Sequence, residues 1–403
     1  MQNARGVLEH AWQTEVFTAT DAMASVGLTR ATIIGICDDL VAGGWLEERE
    51  LDETARKGRP ARRYALRERA GFVAGIDAGT DHIGARVADL RGRVIGSADV
   101  RTPARSTLGS WNAADGGERR RLTHEVVERA LSAAGVNRSM LLAVTLGVPA
   151  PVDAAGLSPE GKNGFWAAMN PNFGAAFADA APIVTVENDA NLVAIAERAS
   201  VHGQGRDVSS YIAMLVGEGI GSGLMIDGHL VRGRRGGAGE MRFLDYVDGV
   251  GTANGLALQA RRWAEDAIRS GEAGIESPLG RLDLATLTEH DVARAAESGD
   301  TVAQRILDRL AERLARICIV LGDVLDVDRV VVGGAMVDSL PMVIGDAARL
   351  VAESGDPTAP DLRASALGAE AVATGAIEHA LSLVRERALE LRPAARPLAN
   401  PVL

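Results

Sequence analysis

Three groups of residues in this chain have the types and spacing to do chemistry. Glu187-Asn188-Asp189-Ala190-Asn191 follows an apolar strand-like run at 183–186 and sets an acid between amides at the strand end. An ionised carboxylate only accepts hydrogen bonds, whereas an amide donates and accepts, so Asn188 and Asp189 suit a hydroxyl-rich ligand. Asp189 could equally serve as general base on an attacking hydroxyl, or merely cap the helix that follows. Glu240, after Gly239, offers a second carboxylate; its alternative is an exposed surface acid. Residues 156–180 are expected to border the same pocket, and there Asn163, Trp166 and Asn172 are candidate ligand contacts. Trp166 would either stack on a ring or fill the core.

The second group is a pair of glycine-rich turns. Asp77-Ala78-Gly79-Thr80-Asp81 joins apolar runs at 72–76 and 83–88, and 217–223 (GEGIGSG) joins runs at 211–216 and 224–226. Such turns let backbone amides approach phosphates closely. Asp227-Gly228 reads as a two-residue hairpin turn. The two similar hairpins predict a duplicated fold. Val330-Val331-Val332-Gly333-Gly334-Ala335 reads as a buried strand entering a Gly-Gly turn, after a long amphipathic helix at 301–325.

The third group is basic. Residues 55–69 hold seven arginines and lysines against one acid, Glu68. Residues 56–63 of this stretch form the tip of a hairpin between two strand-like runs, 45–48 and 63–66. Arg56, Lys57, Arg59 and Arg62 of such a tip would enter a minor groove or neutralise phosphates.

The preceding elements would carry that hairpin. Apolar residues recur at helical spacing in 7–12, 22–26 and 33–40, with a turn at Gly27-Leu28. Thr20 or Asp21 is the expected cap of the second helix and Thr29 of the third. The pattern is helix, turn, helix. It would bury Ile33, Ile36, Cys37 and Leu40 and present Thr29, Arg30 and Thr32 where a recognition helix meets base edges. A three-helix bundle without a ligand has the same periodicity; the basic hairpin favours DNA.

Composition bounds these readings. With 403 residues the chain should hold two or three domains. Apolar residues at 47% and charged residues at 24% exclude a largely disordered chain. No run nears the roughly 18 apolar residues of a membrane span, and 1–15 lacks the pattern of a secretory signal. A cytoplasmic protein without a membrane partner is expected. Cys37 and Cys318 form no motif, which excludes a disulfide framework. Neither Lys57 nor Lys162 completes a Walker-type phosphate loop. The net charge of −11 argues against a chain that coats nucleic acid, so any DNA contact must be local.

Taken in order, DAGTDHIGARVADLRG at 77–92, GVPAPVD at 147–153, VENDAN at 186–191, GEGIGSGLMIDG at 217–228, GGAGE at 236–240 and VVVGGA at 330–335 resemble the ROK family of bacterial repressors and sugar kinases. The GRPARRY hairpin at 58–64 places the chain beside the repressors. The resemblance implies an α/β fold with an N-terminal winged helix-turn-helix at 1–70 and a two-lobed, actin-like (ribonuclease-H-like) domain at 71–403. One lobe would span about 71–185 with the C-terminal helix, the other about 186–385. It implies a transcriptional regulator of carbohydrate-related genes, a homodimer or homotetramer on an inverted-repeat double-stranded operator, answering to a sugar or derivative. The alternative is an ATP-dependent sugar kinase with Asp189 as base.

Two departures argue for a non-catalytic chain with a vestigial base. Asp81 and Glu218 stand where the family's phosphate turns carry threonine, and would repel a triphosphate. Many members hold a zinc through cysteines and a histidine after Gly-Glu-x-Gly; here Phe243 takes the histidine position and no cysteine is near. No metal and no cofactor are expected.

Overall fold

The computed structural model describes residues 2–49, 61–102, 110–161, 163–334 and 336–393. The chain opens with α1 (Gln2–Gln13), β1 (Phe17–Thr18), α2 (Ala19–Val26), α3 (Arg30–Ala42), β2 (Leu46–Arg49) and β3 (Arg63–Leu66). The strands form an antiparallel sheet in the order β1-β3-β2. Thr18 caps α2, not Thr20 or Asp21. Its hydroxyl accepts from the Asp21 amide while the Asp21 carboxylate takes the Thr18 N–H at 2.8 Å. Asp21 is thus the far end of a capping box. Gly27, at φ +71°, ends α2, and Thr29 caps α3 as expected. Ile33, Cys37 and Leu40 face the core, while Ile36 lies at its edge and is only partly buried.

A five-stranded sheet follows. It contains β4 (Phe72–Ala78), β5 (His82–Asp89), β6 (Val94–Arg101), β7 (Leu141–Val148) and β8 (Ile183–Asn188) in the order β6-β5-β4-β7-β8. Between them lie α4 (Ala113–Ala134), α5 (Phe165–Met169) and α6 (Phe173–Ala176); α7 (Asp189–Ala199) leaves the end of β8. β4 and β7 are buried along their whole length, as continuous apolar runs require in a parallel pair. β8 pairs with β7 through Asn188, so the first sheet extends beyond the expected lobe boundary at 185/186.

The second sheet repeats the first. It contains β9 (Tyr211–Leu215), β10 (Gly221–Ile226), β11 (His229–Val231), β12 (Arg329–Gly333) and β13 (Asp361–Ala364) in the order β11-β10-β9-β12-β13. In each, an antiparallel three-strand meander is continued by two parallel strands. Asp227 and Gly228, at φ +49° and +76°, make the two-residue turn that the dipeptide predicts. The second lobe also carries α8 (Leu256–Ser270), α9 (Glu289–Glu297), α10 (Thr301–Leu325), α11 (Met336–Ser339) and α12 (Pro341–Glu353).

The last helix, α13 (Ala371–Arg387), returns to the first lobe, where it packs on β4, β7 and α7. Helix and helix meet closely at Gly375, where a methyl group would lie 1.9 Å from the Leu192 carbonyl oxygen. Among the described residues no helix is long and apolar enough to cross a membrane.

Candidate functional site

The end of β8 and the start of α7 carry the central candidate residues, Glu187 to Asn191. Glu187 is buried and saturated: it accepts from the Asn188 amide at 3.0 Å, Asn191 Nδ2 at 2.9 Å and Arg232 Nε at 2.6 Å. Asn188 is spent on structure. Its Oδ1 caps α7 by accepting from the Asn191 amide at 3.1 Å, and its Nδ2 donates to the Ala150 carbonyl at 3.2 Å. Asn188 therefore fixes Asp189 in place, each end of its amide holding one backbone group. Asp189 accepts from the Ala190 N–H at 2.8 Å. Desolvation pushes its carboxyl up to about 7, and the nearby charges of Asp77 and Glu240 push the same way. Burial raises Glu240 as well, so neither acid is an exposed surface group.

Glycines bring Glu240 to this place. Gly236, at φ +69°, passes so close to β7's extension that a methyl would lie 1.8 Å from the Val152 carbonyl oxygen. Gly239, at φ +91°, would place one 1.9 Å from that of Ser222. Only glycine allows both the conformation and the approach. Glu240 then bridges to Gly221 of β10.

The other candidates on 156–180 divide. Trp166 is half-buried against the first-lobe core, its ring over Gly161. Asn163 accepts from the Phe165 amide at 3.4 Å, and its carbonyl from the Trp111 amide at 3.0 Å. Asn172 is exposed, left-handed at φ +56°, and caps α6. The buried amide of this segment is one that sequence reading missed, Asn170, which donates to the Gly156 carbonyl at 3.0 Å and the Ser158 hydroxyl at 2.9 Å.

The turn acids are not the bare charges expected. Asp81 lies 3.3 Å from His82 Nδ1, and His82 Nε2 lies 3.0 Å from buried Asp77. Hydrogen bonds to these two carboxylates push the imidazole up to about 10. Glu218 pairs with Arg261 at 2.5 Å, and Arg261 with Glu289 at 3.0 Å. Each acid shares its cation with a second acid, Asp77 at His82 and Glu289 at Arg261, so the like-charge repulsion of a triphosphate is weakened but not removed. Behind the first turn, buried Arg119 donates to the carbonyls of Ala78 at 2.6 Å and Gly79 at 3.0 Å. Neither His82 nor Arg119 carries a sequence signature.

The N-terminal head is bound to the first lobe. The Trp12 indole N–H donates to the Leu90 carbonyl at 3.2 Å, and Arg91 donates to the carbonyls of Trp12 at 2.7 Å and Thr14 at 2.9 Å. Trp12, Trp45 and Leu66 share one apolar cluster with Leu90, Leu142, Val384 and Leu391. On the outer side, Thr29, Arg30 and Thr32 are exposed at the start of α3. The Thr29 and Thr32 hydroxyls bond each other at 2.8 Å. Arg62, expected free for phosphate, pairs with Asp38 of α3 at 2.6 Å and with Glu48. The remaining tip candidates, Arg56, Lys57 and Arg59, lie outside the described residues.

The profile of the ROK family matches residues 73–383. The chain belongs to the ROK family. A xylose repressor of Caldicellulosiruptor bescii is 24% identical over 324 residues, 76% of either chain. A glucokinase of Halalkalibacterium halodurans is 28% identical over 164 residues, 38% of this chain and 49% of the kinase. Among solved structures, a ROK family transcriptional regulator described as a homologue of E. coli MLC aligns with TM-score 0.69 and 18% identity, over 95% of this chain and 98% of the regulator. A ROK glucokinase of Streptomyces griseus, in complex with glucose and AMPPNP, aligns with TM-score 0.60 and 24% identity, over 77% of this chain and 100% of the kinase. The two sheets thus form the actin-like, two-lobed fold of ROK regulators and kinases.

The zinc centre of many ROK proteins does not fit this chain. Among the described residues no group of three or more His, Cys, Asp or Glu side chains could hold a metal ion. Cys37 and Cys318 are each buried and free, and Phe243 is partly exposed. The segment after Phe243 is held by protein groups instead. Arg313 donates to the carbonyls of Val250 at 3.0 Å, Thr252 at 2.5 Å and Asn254 at 2.8 Å. The Asp245 carboxylate takes the Ala253 N–H at 3.1 Å. This loop lies on the second glycine turn, where the Gly255 amide donates to the Glu218 carbonyl at 2.9 Å.

Proposed function

We propose that this ROK protein is a sequence-specific DNA-binding transcriptional regulator, in the manner of a repressor, whose two-lobed domain senses a sugar or sugar derivative. The observation that carries the reading is the docked head: a helix-turn-helix with a β2–β3 hairpin, exposing Thr29, Arg30 and Thr32 while fixed to the first lobe through Trp12 and Arg91. The solved regulator aligns over nearly the whole chain, whereas the glucokinase aligns over 77%. The xylose repressors among its relatives support a carbohydrate effector.

In this reading residues 1–70 are a winged helix that meets double-stranded DNA in the cytoplasm, and 71–403 bind the effector. Two copies would place their α3 helices in successive major grooves of an inverted repeat, with half-sites about 10 bp or a multiple apart. Asp189 accepts hydroxyl protons of the effector, with Glu240 beside it. β5 runs from His82, at the cleft turn, to Asp89, next to the Leu90-Arg91 anchor of the head. α13 lies on β4 and reaches the head cluster through Val384. Closure of the lobes on an effector therefore carries the head with the first lobe, shifting the population of head spacings that fit the operator. Binding to the duplex upstream of its own gene, against a scrambled duplex, tests the reading.

A sugar kinase is the second reading. The glucokinase likeness and the carboxyl of Asp189, raised to about 7, favour it, since a base near neutral pH is suited to proton abstraction. Phosphate transfer from ATP to a sugar panel separates the two.

A further inference from the structure

We propose that Arg313 and Arg316 of α10 take over the structural part that zinc plays in many ROK proteins: they hold the 248–254 loop on the second glycine turn and so position Glu240, which in the regulator reading lies beside the effector.

The two arginines lie three residues apart, on one face of the helix. Arg313 is 2% exposed. Its Nε donates to the Val250 carbonyl and its Nη2 to those of Thr252 and Asn254. Arg316 Nη1 donates to the Asp248 carbonyl at 3.2 Å. Every second carbonyl from 248 to 254 is thus taken by one of two guanidinium groups. Gly249, left-handed at φ +75°, leaves room for this: a methyl group there would lie 1.4 Å from Arg316 Nη1. Burial lowers the Arg313 guanidinium to about 10, so it keeps its charge at neutral pH. The converging carbonyls replace the water that a buried charge loses.

Structural zinc fixes a loop through thiolate and imidazole side chains. Residues 240–254 contain no cysteine and no histidine. What they offer is backbone carbonyls, and those suit the fixed fork of N–H donors on a guanidinium.

The loop reaches Glu240 through the glycine turn. Asn254 bridges to Gly219, and the Ile220 amide donates to the Ala253 carbonyl at 3.2 Å. On the other side of the same turn, Gly221 bridges to Glu240, and the Ser222 amide donates to the Gly239 carbonyl at 3.2 Å. One strand's width therefore separates the residues that Arg313 holds from Glu240. Arg313 acts through the backbone, as a positioning residue.

The test uses the full-length wild type and the variants R313A and R313K. Wild type should carry no zinc by elemental analysis, and its denaturant midpoint should be the same in EDTA and in added zinc. In R313A, hydrogen exchange over 217–223 and 239–256 should accelerate at least tenfold, while α1 stays as protected as in wild type. Methylguanidinium, added in excess, should restore that protection and methylammonium should not, because only the planar fork serves several carbonyls at once. R313K keeps the charge and loses the fork, so it too should exchange faster than wild type; it carries the test should R313A fail to fold. One zinc per chain whose removal loosens 239–256 would overturn the proposal, and so would variants that protect both segments as wild type does. The proposal rests on the regulator reading only for the role of Glu240. No arm of the test uses DNA or a sugar, so failure here and failure of that reading are separate results.

Discussion

Arg91 holds the end of α1 by donating to the carbonyl of Trp12 at 2.7 Å, and Trp12 returns its indole N–H to the carbonyl of Leu90 at 3.2 Å. Arg91 also pairs with Glu68 at 3.2 Å. Head and first lobe are thus joined by reciprocal hydrogen bonds on top of a shared apolar cluster. Arg91→Ala removes the donors to two carbonyls, at a cost of about 2 kcal/mol. Amide exchange in α1 should accelerate, and effector should lose much of its influence on DNA affinity. Unchanged protection of α1 would show that the apolar cluster alone fixes the head.

The exposed start of α3 and the hairpin root should behave differently. Arg30→Ala is expected to cost about 1–3 kcal/mol on the cognate duplex and to relax specificity at one base pair. Arg62 is already paired with Asp38 and Glu48, so Arg62→Ala should cost less than Arg30→Ala and change the salt slope little. Anisotropy titrations across a salt series distinguish the two. An Arg62 effect larger than that of Arg30 would put the DNA on the hairpin side.

Asp189 sets a pH dependence. Its carboxyl is raised from 3.8 to about 7 in the folded protein, so the native state holds the proton longer than the unfolded chain. No penalty exists below pH 3.8; it grows as pH rises between 3.8 and 7 and is constant above. Asp189→Asn should therefore stabilise the protein at pH 8, by on the order of 2 kcal/mol, and leave it nearly unchanged at pH 4. Denaturant unfolding at the two pH values measures this. Effector affinity should run the other way, rising through pH 7 as the acceptor ionises and remaining weak and flat in the variant.

His82 has the opposite sign. Its value rises from 6.5 to about 10 on folding, so its contribution is complete below pH 6.5 and fades as pH passes through 10. The ring is 40% exposed, and solvent screening reduces the effect to about 1 kcal/mol. H82A should be less stable than wild type at pH 6 and equal to it above pH 10.5 in the same unfolding experiment.

Gly236→Ala tests the placement of Glu240. The new methyl would require a left-handed alanine and would overlap the Val152 carbonyl. A loss of more than 2 kcal/mol in stability, together with loss of the effector response, is expected. A fully responsive, stable variant would mean that the 236–240 loop does not define the site.

Much of this architecture is readable from sequence, for local reasons. The strand at 72–76 is an apolar run, the 301–325 helix has clear periodicity, and Asp227-Gly228 names its own turn. The duplication shows in the two glycine hairpins. What is not readable depends on partners distant in the chain. Glu218 looks like a naked acid until Arg261, 43 residues away, folds against it. Asn188 looks like an open amide until Ala150 and Asn191 take both its ends. Arg119 and Arg313 are ordinary helical arginines in sequence; only the fold shows them buried on backbone carbonyls. Thr18, three residues before Asp21, makes the capping box in place of the expected Thr20 or Asp21.

Fluorescence anisotropy of the duplex upstream of the gene beside a scrambled duplex, titrated over a salt series and then with sugars, tests the regulator most directly. Binding to the native duplex should be at least a hundredfold tighter, with a steep salt slope and a change in affinity on adding the effector that Asp189→Asn abolishes. Equal, weak binding to a genome-derived pool and to scrambled DNA, unaffected by any sugar, would contradict it.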